Sequence, residues 1–340
     1  MPNKSKHILV IRLSAMGDVA MTIPVLRALL NQHPEFKITV LSKEFFKPFF
    51  RDLKNVSFVA AQVKDEHKGV LGLYKLANQL NKENKFFAVA DLHHVLRSQI
   101  LKKFLKYKHF ASIDKGRSIK DALISGVIFE PLKTTHQRYA EVFEKLGFPI
   151  NLSNPKFPEK AILSKKLEGI IGNGNRKVVG IAPFAAYESK MYPLDLMKQV
   201  IGTLEKEYSI LLFGGGSKEI SILNDFESAF NHVKNLAGKL SLDEELDIIS
   251  NLDVMLSMDS GNAHIAAMLG VKVVTIWGVT HPYAGFAPFN QPSDYALLSN
   301  REKFYKIPTS VYGNKYPEDY KEASRSISPE TVIQKIKAII

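Results

Sequence analysis

Short apolar runs alternate with longer helical patterns along the chain, and this alternation occurs in two series. The first series contains predicted strands at residues 8–12, 37–41, 57–60, 87–90 and 109–113, and the second at residues 178–182, 209–213, 254–258 and 272–277. Alternation of this kind predicts parallel sheets with helices packed on their faces. The α/β pattern therefore predicts two doubly wound domains, which bind ligands at the carboxyl ends of their strands.

Helical patterns lie between these strands and also mark the domain boundary. They are predicted at residues 25–31, 74–81, 136–146, 194–205, 219–230, 242–250 and 264–269. A helix that ends at Gly147 with Pro149 beyond carries a typical stop signal, and the prolines that follow mark a linker. The second series resumes after residues 172–175. We predict an N-terminal domain at 1–152, a C-terminal domain at 153–325 and a final helix at 326–340 that packs back on the N-terminal domain.

The composition excludes several classes of protein. None of the 340 residues is cysteine, so disulfides, cysteine-ligated zinc and thiol catalysis are excluded. The apolar run at residues 8–13 is too short for a secretory signal, and no run approaches the roughly 20 apolar residues that span a bilayer. We expect a cytoplasmic protein.

A positive charge excess indicates an anionic partner. The formal net charge is +12, and the stretch 101–117 carries six Lys and Arg residues against one Asp. This stretch is either a solvated helix face or a contact surface for an anionic acceptor or lipid. Because no zinc-finger, RRM or KH signature occurs, we expect no nucleic-acid partner.

The first candidate site follows the first predicted strand, in the stretch R-L-S-A-M-G-D from Arg12 to Asp18. Pro24 is tolerated only in the first turn of a helix, which places the helix start near Thr22 and Asp18 on the loop before it. Asp18 is either a helix cap or a carboxylate that acts as general base. A carboxylate is a weak base, but it is useful when the proton leaves late in the transition state.

Two further candidates follow the first two strands of the second series. Lys190 lies just before a helix opened by Pro193, where it is either a surface lysine or a point charge for a diphosphate. The glycines that begin at Gly214 allow a ligand to approach the backbone, although they do not form G-x-G-x-x-G. Glu219 is favoured at a helix start in any case, and the alternative role is ribose binding.

The most informative stretch runs from Asp259 to His264, where a strand stops at Asp-Ser-Gly and a helical pattern follows. A helix start presents free N–H groups and a positive dipole end, which bind phosphate. A carboxylate, an amide and an imidazole lie beside it. The alternative is ordinary helix capping with a core histidine. A metal site at His93 and His94 is weakly indicated, since adjacent strand residues point to opposite faces.

Several segments together resemble the ADP-heptose:lipopolysaccharide heptosyltransferases, glycosyltransferase family 9. They are I-L-V-I-R-L-S-A-M-G-D-V with T-I-P-V-L-R-A-L, then A-D-L-H-H-V-L-R-S, I-A-P-F-A-A-Y-E-S-K-M-Y-P, and M-D-S-G-N-A-H-I-A-A-M-L-G-V followed by I-W-G-V-T-H-P. The resemblance implies a GT-B fold, with two Rossmann-like domains that face a central cleft. It also implies transfer of a heptose from ADP-heptose to a lipopolysaccharide acceptor with inversion, without a metal or other cofactor.

The resemblance assigns a role to each matching residue. It implies that Asp18 is the general base and that Lys190 neutralises the leaving diphosphate. The implied donor-binding residues are Ser189, Gly214, Gly215, Glu219, Asp259, Ser260, Gly261, Asn262 and His264. The implied acceptor-binding residues are Ser14, Gly17, Arg97 and Arg117. The acceptor would be anionic lipid A with its core sugars, reached by peripheral contact with the inner face of the inner membrane.

The chain departs from the family pattern at two positions. Members often have Gln where this chain has His93, and a carboxylate where it has His281. The second change lies near the expected donor site and leaves the sugar open. Alternatives are a transferase for another nucleotide sugar, a sugar-nucleotide epimerase, and a non-catalytic protein that binds a sugar nucleotide.

Overall fold

The computed structural model describes residues 6–172 and 176–340. Residues 173–175, after which the second series was predicted to begin, lie outside the described residues. The chain divides into two compact units. The first unit comprises residues 1–115 and 135–156, and the second comprises residues 116–134 and 157–340.

The strands and helices alternate as the sequence predicts. The strands are β1 His7–Ile11, β2 Lys37–Ser42, β3 Val56–Ala60, β4 Phe86–Asp91, β5 Tyr107–Ser112, β6 Val178–Ala182, β7 Ser209–Leu212, β8 Val233–Asn235, β9 Val254–Met258, β10 Lys272–Trp277 and β11 Ala296–Leu298. The helices are α1 Met16–Ala20, α2 Thr22–Gln32, α3 Gly69–Glu83, α4 Leu96–Phe104, α5 Arg117–Ile124, α6 Thr135–Lys145, α7 Lys165–Ile171, α8 Leu194–Leu204, α9 Ser217–Ala229, α10 Leu242–Ser250, α11 Gly261–Met268 and α12 Pro329–Ile339.

A parallel sheet forms the centre of the first unit, in the order β3-β2-β1-β4-β5. Ile8, Leu9, Val10 and Ile11 of β1 are fully buried, as expected for a parallel strand covered on both faces. The strand order reverses between β1 and β4. The carboxyl ends of these two strands are therefore the point where a doubly wound sheet binds its ligand.

A second parallel sheet forms the centre of the second unit, in the order β11-β10-β9-β6-β7-β8. The predicted strands 178–182, 254–258 and 272–277 are found with those bounds. The edge strands β8 and β11 were missed because each is only three residues long. The strand order reverses between β9 and β6, so the loops that follow these two strands are the expected ligand loops.

The final helix packs within the second unit, which differs from the prediction that it packs on the N-terminal domain. Val332, Ile333 and Ile336 of α12 join the core of the second unit, and the helix contacts α8, β9 and β10. Its predicted start is confirmed, since the Ser328 hydroxyl accepts the Thr331 N–H at 3.2 Å and Pro329 follows. The apolar face of α12 therefore decides where the helix lies.

The segment 116–134 also belongs to the second unit, whereas the predicted boundary placed it in the N-terminal domain. The Leu132 N–H donates to the Tyr283 carbonyl at 2.9 Å, and the Phe129 ring lies 5.0 Å from the His281 ring. Such long-range contacts have no local signal in the sequence. The basic stretch 101–117 is not one helix face, because it covers the end of α4, the edge strand β5 and the start of α5. Within residues 6–172 and 176–340, no helix has both the length and the apolar character required to cross a membrane.

Candidate active site

Asp18 lies in the first turn of the short helix α1, not on a loop as predicted. The helix begins at Met16, and the Ala15 N–H that precedes it donates to the Asp18 carboxylate at 3.2 Å. Pro24 lies in the first turn of α2, as predicted. Asp18 thus has part of the capping role that was its alternative reading, although its side chain remains 27% exposed.

Arg12 holds the Asp18 carboxylate in place. One terminal nitrogen of Arg12 lies 2.5 Å from Asp18 Oδ2, and the other donates to the Leu92 carbonyl at 2.7 Å. The Tyr139 hydroxyl donates to the Asp18 carbonyl at 3.2 Å, and burial raises the pKa of Tyr139, so this hydroxyl stays protonated. Among the described residues, no hydrogen bond reaches Asp18 Oδ1. One carboxylate oxygen is fixed, and the other can accept a proton.

His93 supports the same loop. Burial, followed by the charges of Arg12 and Lys115, lowers the pKa of His93 to about 4. The imidazole is therefore neutral near pH 7, and its Nδ1 accepts the Leu13 N–H at 3.4 Å. The Asp91 carboxylate accepts the N–H of His93 at 3.0 Å. Within the described part of the chain, no group of three or more His, Asp or Glu side chains could hold a metal ion.

The predicted acceptor-binding residues divide between the two units. Ser14 and Gly17 lie beside Asp18, one just before α1 and one within it. Arg97 is exposed in the first turn of α4, after β4, which neighbours β1. Arg117 opens α5 and belongs to the second unit. The fold of the first unit thus places Ser14, Gly17 and Arg97, but not Arg117, at one edge of one sheet.

Lys190 and Asp259 form a nearly buried ion pair in the second unit. Lys190 Nζ lies 2.8 Å from Asp259 Oδ2, with side-chain exposures of 12% and 8%. The Thr280 hydroxyl donates to the same oxygen at 2.8 Å. Lys190 follows β6 and Asp259 follows β9, the two neighbouring strands at which the strand order reverses. Among the described residues, no hydrogen bond reaches Asp259 Oδ1, so this oxygen can accept a ligand hydroxyl.

The start of α11 lies beside this ion pair. The helix begins at Gly261, three residues earlier than predicted, and Ser260 precedes it. The Ser260 side chain makes no capping bond to the helix, since its hydroxyl lies 3.1 Å from the Ser257 hydroxyl. The Ser260 side chain therefore leaves the first-turn N–H groups around Gly261 and Asn262 uncapped, and uncapped groups at a helix start can bind an anion. His264 lies buried in the same helix.

The glycine loop after β7 is shaped by Glu219. Glu219 Oε2 accepts the Gly215 N–H at 2.7 Å. A Cβ at Gly214 would come within 3.1 Å of the same oxygen and of the Leu223 side chain, whereas Gly215 has open space around it. Glu219 therefore has a structural role in the loop. Ribose binding by Glu219 stays a prediction.

Ser189 is buried inside the second unit, and its predicted donor-binding role stays a prediction. Its side chain is fully buried, and its hydroxyl donates to the Gly313 carbonyl at 2.5 Å. The Ser189 carbonyl accepts the Val279 N–H at 3.1 Å. Ser189 thus anchors the turn that carries Lys190.

His281 lies in an aromatic cluster and directly follows Thr280, the hydrogen-bond partner of Asp259. Its ring centroid lies 4.3 Å from that of Tyr283, and its Nδ1 accepts the Tyr283 N–H at 3.2 Å. Burial, followed by the charge of Arg301, lowers the pKa of His281 to about 4. A neutral, buried imidazole does not replace a carboxylate. The sequence analysis did not select Thr280, the hydrogen-bond partner of Asp259, although Thr280 precedes His281 in the quoted motif. It also did not select Arg12, the ion-pair partner of Asp18, although Arg12 is the first residue of the stretch that contains Asp18.

Residues 73–310 match the family model described as glycosyltransferase family 9 (heptosyltransferase). The chain is 25% identical over 315 residues to the lipopolysaccharide core heptosyltransferase OpsX of Haemophilus influenzae, covering 90% of this chain and 88% of that protein. It is 24% identical over 333 residues to a lipooligosaccharide heptosyltransferase 2 of Campylobacter jejuni, covering 95% and 96%.

Solved structures share the fold. A glycosyltransferase family 9 protein from Veillonella parvula superposes with a TM-score of 0.78 at 20% identity, covering 100% of this chain and 98% of that one. The E. coli heptosyltransferase WaaC with ADP gives a TM-score of 0.71 at 17% identity, covering 98% and 100%. These likenesses confirm the predicted GT-B class for the two Rossmann-like units.

Proposed function

The chain belongs to glycosyltransferase family 9, the heptosyltransferases, and we propose that it transfers a heptose from ADP-heptose to the inner core of lipopolysaccharide. It is a glycosyltransferase by family. The observation that carries the donor half of the proposal is the Lys190–Asp259 pair, nearly buried at the point where the strand order of the second sheet reverses. Relatives named as lipopolysaccharide and lipooligosaccharide heptosyltransferases support the choice of sugar and acceptor.

Lys190 and Asp259 act on the donor in this proposal. A diphosphate beside Lys190 would form an ion pair with its ammonium group, and the first-turn N–H groups of α11 would donate further hydrogen bonds to it. Asp259 would then orient the heptose through hydroxyls that donate to Oδ1. Because Lys190 supplies the positive charge that the leaving ADP needs, the reaction requires no bound metal ion.

Asp18 acts on the acceptor. As the acceptor hydroxyl attacks the anomeric carbon, a new C–O bond forms and the bond to the diphosphate oxygen breaks. The hydroxyl proton passes to Asp18 Oδ1, and ADP leaves with the electron pair of the broken bond. Attack on the face opposite the leaving group inverts the anomeric carbon. Arg12 keeps the carboxylate oriented through Oδ2, so that the proton-accepting oxygen stays aimed in one direction.

The direct test is transfer itself. We expect the purified chain, incubated with ADP-heptose and a deacylated inner-core acceptor in excess EDTA, to yield an acceptor heavier by one heptose, detected by mass spectrometry. UDP-, GDP- and CMP-sugars supplied in place of ADP-heptose serve as controls. Transfer from a UDP-sugar alone would contradict the heptose assignment, and loss of transfer in EDTA would contradict the metal-independent mechanism.

We further propose peripheral contact with an anionic membrane through an apolar edge, which we define as Phe45, Leu71 and Leu96. Their exposures are 61%, 79% and 76%. They lie at the start of the turn Glu44–Phe50, of α3 and of α4, the elements that follow β2, β3 and β4. The carboxyl ends of parallel strands share one sheet edge, so these side chains share it with the exposed Lys47, Lys68 and Arg97. Apolar residues among cations suit an anionic bilayer.

Vesicle binding tests this contact. We expect the chain to co-sediment with phosphatidylglycerol vesicles, and Leu71→Ser with Leu96→Ser to lower the partition coefficient at least about tenfold, because each buried leucine contributes about 1.5–3 kcal/mol. Ile162→Ser is the matched control, since Ile162 is 97% exposed in the second unit. Equal binding by the double variant and the control, or equal binding to phosphatidylcholine vesicles, would contradict the proposal.

A further inference from the structure

A pocket of about 510 Å³ lies in the second unit, and neither Lys190 nor Asp259 lines it. We call it the Arg301 pocket. One wall is formed by the end of α5 and the segment after it, and the other by the chain between residues 301 and 317. The residues that matter here are Leu123, Ile124, Phe129, Arg301, Lys306 and Lys315. Its volume lies within the range of small-ligand sites, roughly 300–1,000 Å³.

Three cations and no carboxylate line the Arg301 pocket. The Arg301 guanidinium stacks 3.4 Å from the Phe129 ring centroid, and its Nε donates to the Ile307 carbonyl at 2.8 Å. In residues 6–172 and 176–340, its two terminal nitrogens have no hydrogen-bond or ion-pair partner, and neither Lys306 nor Lys315 has a carboxylate partner for its ammonium group. Uncompensated like charges around one pocket favour an anionic ligand.

The two walls of the pocket differ in character. Leu123 and Ile124 contribute apolar side chains to one wall, whereas the segment that forms the other wall contributes Arg301, Lys306 and Lys315. A ligand that satisfies both walls carries an oxyanion at one side and less polar surface, such as the face of a sugar ring, at the other. An inorganic ion alone would leave the apolar wall uncovered.

The cationic wall is a built part of the fold. The chain between the end of β11 and the start of α12 contains only short 3-10 turns, and irregular segments of this length are uncommon unless they are functional. This one has its own small core, in which Phe304, Ile307, Tyr320 and Ala323 pack against Val279. The core fixes the backbone that carries Lys306 and Lys315, so their charges are held near the pocket.

The same segment also contacts the donor-site residues. The pocket residue Thr309 donates its N–H to the Val279 carbonyl at 3.0 Å, and the next residue, Thr280, bonds Asp259. Gly313 packs so closely on Lys190 that a Cβ there would lie 2.6 Å from Lys190 Cγ. A ligand in the Arg301 pocket is therefore held by the segment that supports the proposed reacting end of the donor.

We propose that the Arg301 pocket binds an oxyanion, phosphate or carboxylate, carried by the saccharide acceptor. The identification of the saccharide as the acceptor rests on the proposed function. Binding of an anionic saccharide to the pocket does not depend on it. The second unit then shares in recognising the acceptor, in addition to the residues predicted from the sequence. Charge and an apolar face together would select acidic or phosphorylated saccharides over neutral ones.

Direct binding without any donor tests the pocket. The probes are an N-acetylglucosamine disaccharide carrying two phosphates, the same disaccharide without phosphates, and digalacturonate, each titrated calorimetrically at low salt. We expect Lys306→Glu with Lys315→Glu to weaken binding of at least one charged probe more than tenfold. Lys303→Glu is the matched control, because Lys303 lies on the same segment outside the pocket. Thermal melting checks that both variants fold.

The outcomes separate the possible sources of the charge. If the double variant loses binding of the bisphosphate probe, the pocket binds a phosphate. If it loses binding of digalacturonate, the pocket binds a carboxylate. Either result supports the proposal. Binding of charged probes within twofold of the unsubstituted chain in the double variant would overturn it. Equal binding of the uncharged disaccharide, or an equal loss in the Lys303 control, would also overturn it. Because no transfer is measured, failure of the proposed function leaves these results standing.

Discussion

Asp18→Asn is expected to lower the turnover number for transfer by about 10²–10⁴-fold, the range typical of a lost general base. Asparagine has nearly the same shape, and its amide oxygen can still accept bonds from Arg12 and the Ala15 N–H, so the local fold should persist. It cannot take the acceptor proton. The measurement is the steady-state rate of ADP release with saturating ADP-heptose and acceptor, together with the Kd for ADP-heptose, which should stay within twofold.

Glu83→Gln is the matched control for this substitution. Glu83 is an exposed carboxylate at the end of α3, in the same unit as Asp18. Its removal changes the net charge by the same amount and should leave the rate unchanged. Undiminished transfer by Asp18→Asn would remove Asp18 from the catalytic machinery, and an equal loss in both variants would indicate a general charge effect.

Lys190→Ala is expected to lower the turnover number about 10²–10³-fold, the effect of losing one stabilising group at a developing negative charge. It also leaves the Asp259 carboxylate nearly buried without its cation, where a diphosphate would meet uncompensated negative charge. Breaking a buried pair by removing one partner destabilises a fold by about 3–5 kcal/mol. ADP release and chemical denaturation of the same preparation measure the two effects.

Lys177→Ala supplies the comparison for Lys190→Ala. Lys177 pairs with Asp253 at 3.1 Å in the same unit, but the lysine side chain is 61% exposed. An exposed pair contributes about 0–1 kcal/mol, so this variant should keep both its stability and its rate. A double variant, Lys190→Ala with Asp259→Asn, removes the unpaired charge. Recovery of stability without recovery of rate would show that the rate loss is not caused by misfolding, whereas recovery of both would contradict a role for Lys190 on the leaving group.

The strands that build the two sheets could be predicted from the sequence because most are apolar over their full length. Val178–Ala182 and Val254–Met258 are buried on both faces, and such runs need no tertiary information to recognise. Val233–Asn235 could not be predicted, because three residues with a lysine in the middle carry no strand signal. The membership of residues 116–134 in the second unit depends on contacts such as Leu132 to Tyr283, which are not local.

The candidate site was predictable to the extent that each residue follows a strand. Asp18, Lys190 and Asp259 were selected on that basis, and the fold places them at the two points where strand order reverses. The pairing of Lys190 with Asp259 was not predictable, since the two residues are distant in sequence and meet only because β6 and β9 are neighbours. The burial of the Ser189 side chain was not predictable, because burial cannot be read from a motif. The implied central cleft between the two domains stays a prediction.

The configuration at the anomeric carbon of the transferred heptose tests the central claim most directly. The claim is that Asp18 and Lys190 assist a single displacement without a metal ion. NMR of the product made in excess EDTA should show the configuration opposite to that in ADP-heptose, with a rate within twofold of the EDTA-free reaction. Retention of the donor configuration, or a requirement for added metal, would contradict the claim.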